Sequence, residues 1–196
     1  AQYAQLFRFG KVDEKKGTLR LSKQHFTILE RYREYIENPK LLKELDEKRE
    51  KLLNFKEIKK IKLPKNITAK LRPYQEEGYK WLHFLDEFGW GGCLADDMGL
   101  GKTLQMLTFI QEQKNRNPKG VHLVVVPKTL IFNWQAEAAK FCPELRLYVH
   151  TGPQRTKNIR IFSRYDIILS TYGSVRSDIE LLREFRFHYV ILDEAQ

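Results

Sequence analysis

The sequence predicts an α/β fold: a doubly wound parallel sheet that follows a small, basic, mostly helical N-terminal segment. Three observations predict it. From residue 71 onward, short apolar runs alternate with stretches of helical spacing. Those runs lack the apolar–polar alternation of a half-exposed strand, so both faces of the sheet are expected to be covered. Charge is also divided unevenly. Residues 1–70 hold 19 Lys and Arg against 10 Asp and Glu, and the remainder holds 16 against 15. Of the net charge of +10, +9 therefore belongs to the N-terminal segment. This division predicts two parts, residues 1–68 and residues 69–196.

The elements follow in chain order. Residues 5–21 read as two short strands around "DEKKG", a hairpin. Ser22 is a candidate cap for a helix over 23–37. Asn38-Pro39 is a second helix start, with Asn as cap and Pro at the first helical position. Leu41, Leu42, Leu45, Leu52 and Phe55 follow at amphipathic spacing. The stretch 62–73 breaks the helical pattern and reads as a linker. A helix is expected from Pro73 to about Phe88. The runs "GGCLA", "VHLVVVP", "LRLYVH", "YDIILSTY" and "YVILDE" are the predicted strands. Residues 102–114, 128–141, 153–163 and 174–185 are the predicted crossover helices.

Composition narrows the function classes. No apolar run approaches the roughly 18–20 residues of a membrane span, and the first residues lack a secretory-signal pattern. No membrane partner is expected. Cys93 and Cys142 show no metal-ligand spacing and read as free buried thiols in a reducing compartment. The missing initiator Met reads as a fragment of a longer chain.

Chemistry concentrates in "CLADDMGLGKT", residues 93–103. Gly99 and Gly101 let the backbone turn tightly and approach a polyphosphate. Lys102 brings a positive charge to the β- and γ-phosphates, and Thr103 brings a hydroxyl to Mg²⁺. The candidate ATP-binding stretch is thus Asp96, Asp97, Met98, Gly99, Leu100, Gly101, Lys102 and Thr103. It departs from the strict phosphate-loop pattern at Asp96, where Gly is expected. A carboxylate about 5 Å from a phosphate, at an effective dielectric near 20, costs roughly 3 kcal/mol per charge pair. Asp96 and Asp97 are therefore expected to turn away and bond loop amides, a basic neighbour or arginines of a second lobe.

Two further signals accompany the loop. "YVILDEAQ" ends an apolar strand in Asp193-Glu194, where Asp193 would hold the metal and Glu194 would polarise the attacking water. In "LRPYQEEGYKWL", the Gln75 amide offers a donor and an acceptor that complement adenine N6 and N7.

Leu71-Arg72-Pro73-Tyr74-Gln75 with Gly78 and Trp81, then "ADDMGLGKT", "VVPKTLIFNW", "DIILSTY" and "LDEAQ", stand in an order that resembles the first motor lobe of the Swi/Snf-type ATPases. These are double-stranded-DNA translocases of helicase superfamily two. The resemblance covers about residues 65–196. It implies a RecA-like P-loop NTPase lobe, ATP and Mg²⁺ as cofactors, double-stranded DNA as partner and a second RecA-like lobe outside this chain. It assigns Gln75 to the adenine-reading motif, residues 96–103 to motif I, "PKTLIFNW" to motif Ia, residues 170–172 to a DNA-facing motif and residues 193–196 to motif II. The implied DNA-phosphate neighbours are Lys128, Thr129, Gly152, Ser170 and Thr171. Gln196 stands where the family more often has His. It points to a prokaryotic source and a cytoplasmic, nucleoid-associated location; a eukaryotic source would imply the nucleus. The chain stops inside motif II, without an arginine finger, so the isolated lobe is expected to hydrolyse ATP poorly.

Independently of the resemblance, residues 145–165 hold Arg146, Arg155, Lys157, Arg160 and Arg164 and no acid. That run reads as a solvated face or as a phosphate-tracking surface beside Gly152. Trp134 reads as core, and Tyr172 is undecided. The N-terminal segment carries no catalytic signature and is expected to brace the motor. Two rival readings are an RNA helicase of the same superfamily and a non-catalytic nucleotide-binding scaffold.

Overall fold

A computed structural model describes residues 10–13, 18–21, 29, 33–36, 38–53, 58 and 61–195. The chain forms two compact units, residues 1–59 with 83–93, and residues 60–82 with 94–196.

In the first unit, β1 (Gly10–Asp13) and β2 (Thr18–Leu21) pair antiparallel, with Gly10 opposite Leu21 and Asp13 opposite Thr18. This is the strand pairing expected within residues 5–21, of which residues 5–9 and 14–17 lie outside the described residues. The helix expected over 23–37 lies largely outside the described residues, and Arg33–Tyr35 forms a 3-10 turn. Helix α1 (Pro39–Leu53) starts where Asn38-Pro39 predicts. Asn38 Oδ1 accepts from the backbone N–H groups of Lys40 at 3.1 Å and Leu41 at 3.3 Å, which satisfies donors the helix itself cannot. Leu45 is its buried residue. In 83–93, the rings of Phe84, Phe88 and Trp90 cluster with centroids 4.9–6.1 Å apart. They belong to the end of helix α2 (Pro73–Phe88) and the residues after it.

The second unit holds the sheet. Strands β3 (His122–Val126), β4 (Leu147–His150), β5 (Ile167–Thr171) and β6 (Tyr189–Leu192) are all parallel, in the order β4-β5-β3-β6. Helix α3 (Lys102–Arg116) precedes β3, α4 (Ile131–Phe141) joins β3 to β4, and α5 (Tyr172–Ser177) with α6 (Ile179–Arg183) joins β5 to β6. Successive strand side chains point to opposite faces, and here each face has its own core. Val124, Val126, Ile167 and Leu169 pack with Leu107 and Ile110 of α3 and Ile131, Trp134 and Ala138 of α4. Leu123, Val125 and Ile168 pack with Phe162 and with Leu182 of α6. All five residues of β3 are buried, as a strand covered on both faces must be. The fold is the predicted doubly wound parallel sheet.

Several expectations need correction. "GGCLA" is not a strand: residues 91–97 have no regular secondary structure. The run has two glycines and no β-branched or aromatic residue, so nothing in it favours a pleated backbone. Residues 128–141 begin with a 3-10 turn, Lys128–Leu130, before α4. Residues 153–163 supply only a 3-10 helix, Ile159–Arg164. Residues 174–185 split into α5 and α6 around Asp178. The stretch 62–73 is no free linker. Ile61, Leu63, Ile67, Ala69 and Leu71 pack against Tyr79, Leu104 and Phe109, and Thr68 N–H donates to the Phe141 carbonyl at 2.9 Å. That packing places the start of the second unit at residue 60. Cys142 is buried, and burial pushes its thiol up to about 12. Cys93 is exposed. No helix among the described residues is long and apolar enough to cross a membrane.

Candidate functional site

Helix α3 runs against the strands. Near its C-terminus, Lys114 Nζ lies 3.0 Å from the Asp166 carboxylate. Asp166 immediately precedes β5, and its carbonyl accepts the N–H of His122 at the start of β3 at 2.9 Å. The end of α3 therefore sits at the strand-start edge, and its first turn, with Lys102 and Thr103, sits at the strand-end edge. Asp193 and Glu194 follow β6 at that same edge. Lys128 and Thr129 follow β3 there, Thr151 and Gly152 follow β4, and Thr171 closes β5. Ligand sites of open α/β sheets form at this edge.

The glycine loop has the geometry its sequence requires. Gly99 and Gly101 have φ of 83° and 76°, in the left-handed region that side chains avoid. Gly101 caps α3 without a side-chain acceptor, so the first-turn N–H groups face outward as an anion site. Lys102 Nζ donates to the carbonyls of Asp96 at 2.8 Å and Asp97 at 3.2 Å. Both carbonyls are main-chain, so the ammonium closes the loop on itself. The sequence predicts that Asp96 turns away and bonds loop amides, a basic neighbour or arginines of a second lobe; its partner in the chain is instead a side-chain amide. Its carboxylate accepts from Gln105 Nε2 at 3.0 Å. Asp97 and Met98 are exposed.

Gln75 is buried, and both ends of its amide are engaged. Oε1 accepts the Arg72 N–H at 2.9 Å, and Nε2 donates to the Leu100 carbonyl at 2.9 Å. Tyr74 Oη donates to that same carbonyl at 3.1 Å. In this conformation the start of α2 braces the glycine loop.

Asp193 is held at three points. Its N–H donates to the Val125 carbonyl at 2.9 Å. Its Oδ2 accepts the indole N–H of Trp134 at 2.8 Å. Its carbonyl accepts from Tyr172 Oη at 2.7 Å. Glu194 then adopts φ 49°, left-handed for a non-glycine residue. Gln196 lies outside the described residues. Among the described residues no cluster of three or more His, Cys, Asp or Glu forms a ready-made metal cage. Thr103 and Asp193 are hard oxygen donors of the kind that share Mg²⁺ with substrate phosphates rather than enclose it, and they fit that ion.

The implied DNA neighbours divide. Lys128 and Thr129 are exposed, and so is Gly152, at φ 82°. Ser170 is a correction: it is fully buried and its hydroxyl donates to the His150 carbonyl at 2.7 Å, so it cannot reach a ligand outside. Thr171 Oγ1 is committed within the chain, since it accepts the Ser174 N–H at 3.2 Å as the cap of α5 and donates to Ser174 Oγ at 3.0 Å. The basic run is corrected too. Arg146 pairs with buried Asp166 at 3.0 Å. Arg155 and Lys157 pair with buried Asp178 at 2.5 and 2.6 Å. The Arg155 guanidinium beside Asp178 holds that carboxyl well below the usual carboxylate range. Arg160 and Arg164 remain exposed.

Residues 74–196 match the SNF2-related domain. The chain belongs to the SNF2-related family. This SNF2-related chain is 40% identical to the Sulfolobus solfataricus SWI2/SNF2 ATPase core solved in complex with dsDNA, with a TM-score of 0.63 over 70% of this chain and 28% of that one. It is 39% identical over 150 residues to YwqA of Bacillus subtilis, named as an ATP-dependent helicase/translocase, covering 74% of this chain and 16% of the relative. It is 39% identical over 163 residues to human TATA-binding protein-associated factor 172, covering 74% of this chain and 9% of the relative. The SNF2-related chain thus spans less than a third of each of these three proteins.

Sequence reasoning missed the contacts that organise this SNF2-related site. Trp134 was legible as core but not as a donor to Asp193, 59 positions away. Gln105, His150 and Asp178 carried no local signal at all, and Tyr172 stood in the DNA-facing motif with its role undecided. Each acts through a partner that only the folded sheet brings close.

Proposed function

We propose that this chain is the ATP-binding lobe of an ATP-dependent double-stranded-DNA translocase, a remodeller-type motor. One observation carries the reading. The glycine loop with Lys102 and Thr103 and the Asp193-Glu194 pair share one sheet edge with the loops that follow β3 and β4. Phosphates bind to the first-turn N–H groups of α3, and Lys102 leaves the carbonyls of Asp96 and Asp97 to neutralise them. Thr103 and Asp193 hold Mg²⁺, which when bound supplies Lewis-acid neutralisation of the phosphate oxygens. Glu194 takes the proton of the attacking water. Gln75 reads adenine after giving up one of its present bonds, and Asp96 and Asp97 shape the loop. Lys128, Thr129 and Gly152 meet the DNA backbone, with Thr171 beside them. A second lobe supplies the arginine that stabilises transferring charge, so the 196-residue chain itself turns over ATP slowly. The location follows the DNA: the nucleoid in a prokaryote, the nucleus in a eukaryote.

The test is ATPase activity of the intact protein with duplex DNA, single-stranded RNA or neither, across a salt series. Duplex DNA is expected to stimulate, with stimulation falling steeply as salt rises. Lys102→Ala and Glu194→Gln are each expected to lower turnover by at least about a hundredfold. Stimulation by RNA alone would assign the lobe to an RNA helicase. Normal function in both variants would make it a scaffold.

A further inference from the structure

Asp193 and the peptide that follows it are held by two aromatic side chains, and each of those sits next to a loop that the proposed function assigns to DNA. Trp134 is on α4, which continues directly from the Lys128–Leu130 turn. Its indole N–H reaches Asp193 Oδ2 at 2.8 Å. Tyr172 follows Thr171 at the start of α5, and its hydroxyl reaches the Asp193 carbonyl at 2.7 Å. That carbonyl belongs to the peptide linking Asp193 to Glu194. Rotating this peptide changes the φ of Glu194, which stands at 49°. Tyr172 therefore fixes the peptide that aims the Glu194 side chain, and Trp134 fixes one of the two oxygens of the Asp193 carboxylate.

The loops themselves are cross-linked. Thr171 caps α5 through the Ser174 N–H at 3.2 Å. Ser174 Oγ in turn lies 3.1 Å from Thr151 Oγ1, next to Gly152. A displacement of the Gly152 loop or the Thr171 cap is passed to Tyr172 with few soft torsions between. A displacement of the Lys128–Leu130 turn is passed along α4 to Trp134. The third anchor, the bond from Asp193 N–H to Val125, is in the sheet and does not move with either loop.

We propose that Trp134 and Tyr172 are positioning residues that couple a polynucleotide backbone on the Lys128–Leu130 and Gly152 loops to the metal-holding and water-activating geometry of Asp193 and Glu194. The proposal rests on the ATP-driven, DNA-tracking reading above. It adds two groups whose polar atoms are spent on Asp193. It also says what each does: the indole orients a carboxylate oxygen, and the phenol orients a peptide.

Tyr172→Phe and Trp134→Phe, made in the intact protein, remove one donor each and keep the ring or most of it. Turnover with and without duplex DNA, KM for ATP and the Mg²⁺ concentration for half-maximal activity are measured for each. Tyr172→Phe is expected to cut the ratio of DNA-stimulated to basal turnover about tenfold, with KM for ATP within twofold of wild type. Trp134→Phe is expected to raise the half-saturating Mg²⁺ several-fold and to lower the same ratio. A residue that only stabilised the fold would move neither the Mg²⁺ requirement nor the ratio. Trp134 is buried and its variant can fail to fold, whereas Tyr172 is 38% exposed, so Tyr172→Phe decides alone in that case. A Tyr172→Phe protein whose stimulation ratio stays within twofold of wild type overturns the proposal. If wild-type protein shows no DNA stimulation, the underlying motor reading fails first, and this inference fails with it.

Discussion

Gly78 faces Gln105 across the packing of α2 on α3, and a Cβ at Gly78 would stand 2.0 Å from Gln105 Oε1. Gln105 is fully buried and spends its Nε2 on Asp96. The glycine therefore makes room for the amide that shapes the phosphate loop. Gly78→Ala is expected to push Gln105 off Asp96, destabilise the lobe by about 1–3 kcal/mol and weaken ATP binding several-fold. Titration of a fluorescent ATP analogue with a parallel melting curve checks both. At this scale the glycines, Lys102, Thr103 and the acidic pair are readable directly, because each is a local requirement of the backbone or of phosphate chemistry. Gln105 is not readable, because its role depends on a carboxylate nine residues earlier and a glycine on another helix. The left-handed φ of Glu194 is equally silent, since no side chain of Glu advertises it.

At the scale of elements, Asp178 breaks what the periodicity of 174–185 presents as one helix. Its buried carboxylate gathers His150 at 2.9 Å with Arg155 and Lys157, and Arg155 also donates to the Gly152 carbonyl at 2.7 Å. One carboxylate thereby fixes the conformation of the loop after β4. Asp178→Asn leaves two cations of that loop short of their counter-charge. It is expected to lower Tm by several degrees and to increase hydrogen exchange selectively over residues 151–158. Uniform exchange across the sheet would contradict that assignment. The acid-free run 145–165 misleads as a sequence because its acids, Asp166 and Asp178, lie just beyond it. The 62–73 strap misleads for a related reason: it has neither helical nor sheet hydrogen bonding, yet its apolar residues find a surface. Strands β3 and β5 were legible because a run covered on both faces needs no partner information to be recognised. Strand β6, whose Val190 and Leu192 are exposed, was legible only as an apolar run ending in an acidic pair, and the expected cover on both faces fails there.

For the whole second unit, burial of imidazoles sets the pH response. His122 is buried, and burial first, then the nearby His188, pull it from 6.5 down to about 4, against the opposing effect of Asp166. Below pH 6.5 the unfolded chain takes up a proton at this residue that the folded chain refuses until about pH 4. Stability is therefore full above pH 6.5 and falls with pH across that window, by up to roughly 3 kcal/mol from this residue. His150 shifts in the same sense, chiefly through burial, and adds to the loss. Asp178 and Asp166 are held below the ordinary carboxylate value by their cations, so a second loss begins only below pH 3.8. Urea unfolding from pH 8 to pH 3 is expected to show both stages, and His122→Leu to reduce the upper one.

The central claim is that the glycine loop and the strand-end acidic pair serve one magnesium–nucleotide, and binding of a fluorescent ATP analogue with and without Mg²⁺ tests it most directly. Lys102→Ala is expected to weaken binding under both conditions, whereas Asp193→Ala weakens it only when Mg²⁺ is present. Asp193→Ala protein that binds like wild type at every Mg²⁺ concentration would contradict the claim.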